Sequence, residues 1–125
     1  MELEKLQSTA KKFIDDRDWR KFQTAKELAM DTSIEANELM DLFLWKDGKE
    51  TDKLLKSKEG GDLLKKVKNE TADVFFSCLA IADHLNFNLG EAFLSKIDQL
   101  DKRYEKDKVK GKVVKIPEEE WLKRH

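Results

Sequence analysis

Apolar residues recur three and four positions apart through most of this chain, with polar residues filling the intervals, the rhythm of helices. Leu3, Leu6, Ala10, Phe13 and Ile14 mark the stripe of a first helix from about Glu2 to Asp16. Arg17 to Gln23 breaks the rhythm and reads as a connection carrying Trp19 and Phe22. Thr24 stands three before Glu27, a capping box that opens a second helix running to about Trp45. Lys46 to Lys49 stops it, with Gly48 able to take a positive φ. Glu50 to Lys58 reads as a short helix or a loop anchored by Leu54 and Leu55. After the punctuation of Glu59-Gly60-Gly61-Asp62, a third helix runs from Asp62 to about Leu85. Asn88 caps a fourth, which extends to about Lys108. Gly111 is a stop, and Val113 to Ile116 reads as a short extended segment. Pro117 followed by Glu118, Glu119 and Glu120 opens a final short helix, with acids at its positive end.

The third helix contains the most apolar run, Glu70 to Ala82 (ETADVFFSCLAIA), which is apolar on every side after Asp73. Such a helix belongs at the centre of a bundle. The expected fold is therefore all-α: one domain over 1–125, a bundle of four main helices plus a short C-terminal segment.

Composition narrows the function classes. Charged residues make up 41% of the 125, yet the formal net charge is −1 and the two signs are interleaved. That balance argues against a nucleic-acid polymer or an anionic membrane as partner. No apolar stretch approaches the roughly 20 residues of a membrane span. The start MELEKLQ lacks the basic and apolar regions of a secretory leader. Cys78 is the single cysteine and sits in the most apolar run, where it reads as inert packing; a reduced, cytoplasmic setting is expected.

The candidate chemistry lies in carboxylates. Acid pairs three apart occur seven times among the 26 acids, and five of the seven read as solvated faces. Position separates the other two. Along the second helix the apolar line runs through Leu28, Leu39 and Leu42, and Glu35 falls on it. Along the third it runs through Leu63, Val67, Val74 and Ile81, and Glu70 falls on it. Glu38 and Asp73 lie one turn to the side of each. Two facing stripes bring the four acids together, and uncompensated buried charge is too costly for a domain stable by roughly 5–15 kcal/mol. Either lysines or arginines complete a structural network there, or a divalent cation such as Mg²⁺, which takes oxygen ligands, is held.

The chain resembles the MazG-like, all-α nucleoside triphosphate pyrophosphohydrolases, most closely their dCTP pyrophosphatase branch. The resemblance runs from about Arg17 to Tyr104. It rests on Arg17-Asp18-Trp19 and Phe22, Glu35-Ala-Asn-Glu38, Leu42-Phe43-Leu44-Trp45, Glu70-Thr-Ala-Asp73-Val74, Ser95-Lys96-Ile97-Asp98 and Arg103-Tyr104. It implies a homodimer or homotetramer, Mg²⁺ held by Glu35, Glu38, Glu70 and Asp73, and hydrolysis of a nucleoside triphosphate to the monophosphate and pyrophosphate. Glu38 is then the acid expected to take the proton of the attacking water. Trp19, Trp45 and Phe22 are the expected base-stacking surfaces, and Lys96, Arg103 and Tyr104 the residues expected to hold the triphosphate tail. The alternative is that either tryptophan caps the core where a helix ends, a reading that weighs more for Trp19 than for Trp45, and by sequence alone Lys96 and Arg103 read as a solvated surface. The chain departs from the branch at Gln23, where histidine is usual, near Lys26, where arginine is usual, and at Leu100, where asparagine is usual. Its spacer from Glu38 to Glu70 is also slightly long. These departures bear on the base, for which dCTP or a modified cytosine nucleotide is favoured. A relative hydrolysing dUTP or a histidine-pathway nucleotide and a non-catalytic helical dimerisation module are the rivals.

Overall fold

The computed structural model describes residues 2–125, and every regular element among them is helical. The long helices are α1 (Leu3–Asp16), α2 (Ala25–Asp41), α4 (Gly61–His84) and α5 (Leu89–Arg103); the short ones are α3 (Gly48–Leu55), α6 (Lys106–Val109) and α7 (Glu118–Arg124). The chain forms two compact units, the first ending at Phe87 and the second running Asn88–His125.

In the first unit α4 packs along both α2 and α1. Ile14 from α1, Leu28 from α2 and Ala80 from α4 form the buried core, with Phe76 and Ile81 packed against it. Phe13 continues this contact outward, edge-on to Phe76 and to Trp19 at 5.6 Å between centroids in each case. The Glu70–Ala82 stretch is not buried on every side. Ser77, Leu79, Ala80 and Ala82 are buried, whereas Phe75 is 40% exposed and Phe13, Met30, Ile34 and Met40 are also open. Three helices are too few to surround a central rod, so one of its faces remains uncovered within the unit.

Caps fix where the helices begin. The Thr24 hydroxyl accepts from the Glu27 N–H at 3.2 Å, and the Asn88 side chain from the Glu91 N–H at 2.9 Å, as the sequence pattern requires. Asp47 does the same for Glu50 at 2.9 Å and starts α3 at Gly48, inside the expected stop and just ahead of the short helix or loop expected over Glu50 to Lys58. The left-handed residue of that connection is consequently Trp45 (φ 65°), and Gly48 lies inside α3. Helix α2 ends at Asp41, short of Trp45, because its last turn tightens: Phe43 N–H bonds the Met40 carbonyl at 2.9 Å. Gly60 has a steric reason to be glycine, since a Cβ there would collide with the Leu54 carbonyl.

In the second unit α5 stops at Arg103, not at Lys108, because Tyr104 is tied to the chain beyond it. The Tyr104 hydroxyl accepts from Ile116 N–H at 3.0 Å and donates to Ile116 O at 3.2 Å. Val113 to Ile116 has no strand partner among the described residues, and Pro117 stands just before α7, at its N-cap.

Candidate metal and nucleotide site

Helices α2 and α4 carry their acids to a common place. One carboxylate oxygen each from Glu35, Glu38 and Glu70 lies within 4.8 Å of the others. Glu35 and Glu70 are half-buried and Glu38 is exposed. The Oε2 atoms of Glu35 and Glu70 are shut off from water and have no hydrogen-bond partner. Asp73, one turn past Glu70, is exposed and adds its charge to both. It also borders an open cavity of about 610 Å³ between α1 and α4, walled by Leu6, Phe13, Phe75 and Leu79.

Loss of water raises the Glu35 carboxyl above its ordinary value, and the adjoining Glu38, Asp73 and Glu70 push it further. Glu70 is raised for the same first reason, with Glu38 and Asp73 adding to it. No lysine or arginine among the described residues forms an ion pair with any of the four. The donor set is all carboxylate oxygen, two of its atoms are sealed and unpaired, and the local charge is uniformly negative. Such a site fits a hard divalent cation.

The connection between α1 and α2 is held rigidly. Asp18 takes φ 52°, and a single turn of 3₁₀ helix, Arg20–Phe22, follows. Arg20 reaches Asp15 at 2.8 Å and Asp83 of α4 at 2.7 Å. The guanidinium holds the Asp15 carboxyl below its ordinary value. Lys11 completes the group at 3.6 Å from Asp15 and 3.9 Å from Asp83. This network fixes Trp19 and Phe22, which with Gln23, Glu27, Leu28 and Asp31 line a pocket of about 290 Å³. Gln23 Oε1 is sealed from water without a partner. Trp45 is 95% exposed and is not part of this lining.

Lys96, Arg103 and Tyr104 belong to the second unit, where the C-terminal segment engages them. Lys96 pairs with Glu118 at 2.9 Å, donates to Gln99 at 2.7 Å, and lowers the Glu118 carboxyl. Arg103 stands 5.2 Å over the Tyr104 ring, with its Nε and Nη1 sealed and unpaired.

Sequence reasoning missed the Arg20–Asp83 pair and the Gln23 pocket. Asp83 had a signal: like Glu70 it is an acid within an apolar helix, one turn from Leu79 and Ala80. Gln23 stood out only as a departure from the branch; that its amide oxygen is orphaned becomes visible only once its surroundings are packed.

Known proteins resemble this chain. The chain is 30% identical to dCTP pyrophosphatase 1 of Rattus norvegicus over 103 residues, 82% of this chain and 58% of that protein. The Mus musculus protein of the same name matches to the same extent. The chain thus spans less than two thirds of the length of these relatives. A crystal structure of a pyrophosphatase from Archaeoglobus fulgidus superposes with a TM-score of 0.70 at 32% identity, covering 82% of this chain and 92% of that one. The description of the MazG-like family matches residues 30–118, which takes in α2 from Met30 onward with its two acids, all of α4, and the second unit as far as the start of α7. With most of its length inside that match, and its acids on the matched helices, this chain belongs to the MazG-like family.

Proposed function

We propose that this chain is a Mg²⁺-dependent pyrophosphohydrolase, converting a deoxynucleoside triphosphate, with dCTP favoured, to the monophosphate and pyrophosphate. The observation that carries the reading is the pair of sealed, unpartnered carboxylate oxygens on Glu35 and Glu70, facing a third carboxylate. The names of the relatives support the class of reaction. Glu35, Glu38, Glu70 and Asp73 hold the metal. When bound, the ion neutralises phosphate oxygens and acidifies a water.

The remaining roles follow from placement. Glu38, exposed like Asp73, is reached by water and takes the attacking water's proton. Trp19 and Phe22, on the braced connection, stack on the base; Trp45, standing free in solvent, offers a further aromatic face. Lys96, Arg103 and Tyr104 hold the triphosphate tail, and for Lys96 to do so it releases Glu118. The open apolar side chains on the first unit, Phe75 with Phe13, Met30, Ile34 and Met40, support association of copies as a homodimer or homotetramer. No helix among the described residues is long and apolar enough to cross a membrane. The chain acts as one domain, in the cytoplasm.

The test is a panel of nucleoside triphosphates incubated with the protein and Mg²⁺, scored separately for pyrophosphate and for phosphate. Pyrophosphate is expected, fastest from dCTP, and Glu38→Gln is expected to abolish it. Failure of every triphosphate to release pyrophosphate overturns the reading.

A further inference from the structure

Of the three residues assigned to the triphosphate tail, two are held directly by the chain's own C-terminal segment. The Lys96 ammonium pairs with the Glu118 carboxylate at 2.9 Å. The Tyr104 hydroxyl accepts from the Ile116 N–H at 3.0 Å and donates to the Ile116 carbonyl at 3.2 Å. Lys96, then Gln99, and at longer range the Arg103 charge hold the Glu118 carboxyl below its ordinary value, so at neutral pH it is an anion. An ammonium makes the same charge-assisted hydrogen bond to a carboxylate oxygen as to a phosphate oxygen. Glu118 thus presents to Lys96 the chemistry that a phosphate would.

The segment is fastened lightly. The chain leaves α5 after Arg103 and returns to it at Ile116 and Glu118, closing a loop whose one regular element is the four-residue α6. None of α5, α6 and α7 contains a buried residue, and Val113 and Val114 within the loop are exposed. A cavity of about 190 Å³, lined by Arg103, Ile116 and Trp121 among others, lies where the segment meets the end of α5. The Lys96 and Glu118 side chains are each 46% exposed. Few apolar contacts are lost when such a segment lifts, so it opens far more readily than the whole molecule unfolds. An ion pair this exposed shifts an equilibrium by about two- to fivefold. The contact is strong enough to compete with a ligand and weak enough to yield to one.

We propose that the C-terminal segment is an autoinhibitory strap: Glu118 occupies Lys96 in place of a substrate phosphate, and a polyphosphate binds by displacing it and releasing Ile116 from Tyr104. The proposal rests on the nucleotide-hydrolase reading for the role of Lys96 and Tyr104, and goes beyond it in giving the segment after α5 a regulatory role. A polyphosphate carries several negative charges against the one of Glu118, so it takes Lys96 once it arrives. Until then only the fraction of molecules with the strap lifted is competent, and the apparent dissociation constant rises by the inverse of that fraction. The strap is absent from the bound state, so it acts on affinity and leaves the chemical step alone.

The experiment compares the natural protein with Glu118→Gln and Glu119→Gln. The second removes the same charge one residue away, from an exposed side chain. Three quantities are measured with Mg²⁺: kcat and KM for dCTP, calorimetric binding of inorganic tripolyphosphate, and exchange of the Ile116 amide by NMR. Glu118→Gln is expected to lower KM about two- to fivefold with kcat nearly unchanged, and to tighten tripolyphosphate binding by the same factor. Glu119→Gln is expected to match the natural protein. Saturating the natural protein with tripolyphosphate is expected to speed exchange of the Ile116 amide several-fold, which a purely structural tail would not show. Hydrolysis with KM and tripolyphosphate affinity unmoved or weakened by Glu118→Gln, or moved equally by Glu119→Gln, overturns the strap and leaves the enzyme reading standing. An Ile116 amide as protected with tripolyphosphate as without it does the same. No hydrolysis of any triphosphate, together with tripolyphosphate binding that Glu118→Gln tightens, overturns the enzyme reading and leaves the strap standing.

Discussion

Helix α4 carries a nearly buried acid, Asp83, next to its C-terminal end and a half-buried one, Glu70, near its middle, and the protein treats them in opposite ways. Near its C-terminal end the Asp83 carboxylate, 7% exposed, receives Arg20 at 2.7 Å and Lys11 at 3.9 Å. Nearer its start Glu70 meets Glu35 and Glu38, with no cation from the described chain. The first group is a finished structural joint between α1, the 3₁₀ turn and α4, and it steadies Trp19 and Phe22. The second is unfinished: its acids meet only like charge, and no lysine or arginine among the described residues pairs with them. An acid in an apolar helix is therefore ambiguous alone, and its facing partner decides between a fold element and a site.

Breaking each group in turn tests the comparison. The largest effect is expected from Glu70→Gln or Glu35→Gln. Pyrophosphate release should fall by more than the roughly 10–100-fold typical of losing a metal ligand's outer-shell partner. The same variants should melt higher than the natural protein in EDTA, since one of several crowded like charges has gone. A variant that loses activity and melts lower in EDTA contradicts the picture of an unfinished site.

Next comes metal itself. By mass action, Mg²⁺ at a hundredfold above its Kd stabilises the native state by about 2.7 kcal/mol. The melting temperature should rise accordingly in a calorimetric scan, return on adding EDTA, and fail to rise in Glu70→Gln.

Asp83→Asn leaves Arg20 without its buried partner. Because the Arg20 side chain is 34% exposed, the loss should be about 2 kcal/mol, below the roughly 3–5 kcal/mol of a fully buried pair. Urea unfolding measures it, and the Mg²⁺ shift should persist in this variant, which the Glu70 change abolishes.

The smallest effect is in pH. Glu35 and Glu70 titrate above the ordinary glutamate value of 4.5, so the folded, metal-free protein holds more protons than the unfolded chain over that window. Its stability should fall as pH rises from 4.5 toward their native values, and Mg²⁺ should flatten the slope. Asp15 acts with the opposite sign. Its carboxyl lies below 3.8, so its contribution is complete above that value and is lost as pH falls through the lower native one. Melting temperatures from pH 3 to 8 in EDTA and in Mg²⁺ separate the two.

Much of this was legible in the chain because it is local. The capping boxes at Thr24 and Asn88, the stripes of α1, α2 and α4, and the two acids lying on apolar lines all follow from spacing along a helix. The misjudged boundaries share a cause. Leu42 to Trp45 reads as helix by composition, but the Asp47 cap claims the following residues for α3. Lys106 to Lys108 likewise reads as a continuation of α5, but the Tyr104 hydroxyl is held by Ile116, twelve residues on. The apparent burial of Glu70–Ala82 presumed more neighbours than the first unit supplies.

Periodicity and capping determined, from the sequence by itself, that the protein is helical and that acids stand on the apolar lines of two successive long helices, because both are relations between residues a few positions apart. Only packing in three dimensions decided which charges meet. It gave Asp83 an arginine from across the α1–α2 connection, left Glu35, Glu38 and Glu70 to one another, and closed the surroundings of Gln23 around a carbonyl oxygen with nothing to accept. Electrostatic energy depends on distance and burial, and neither is fixed by order along the chain.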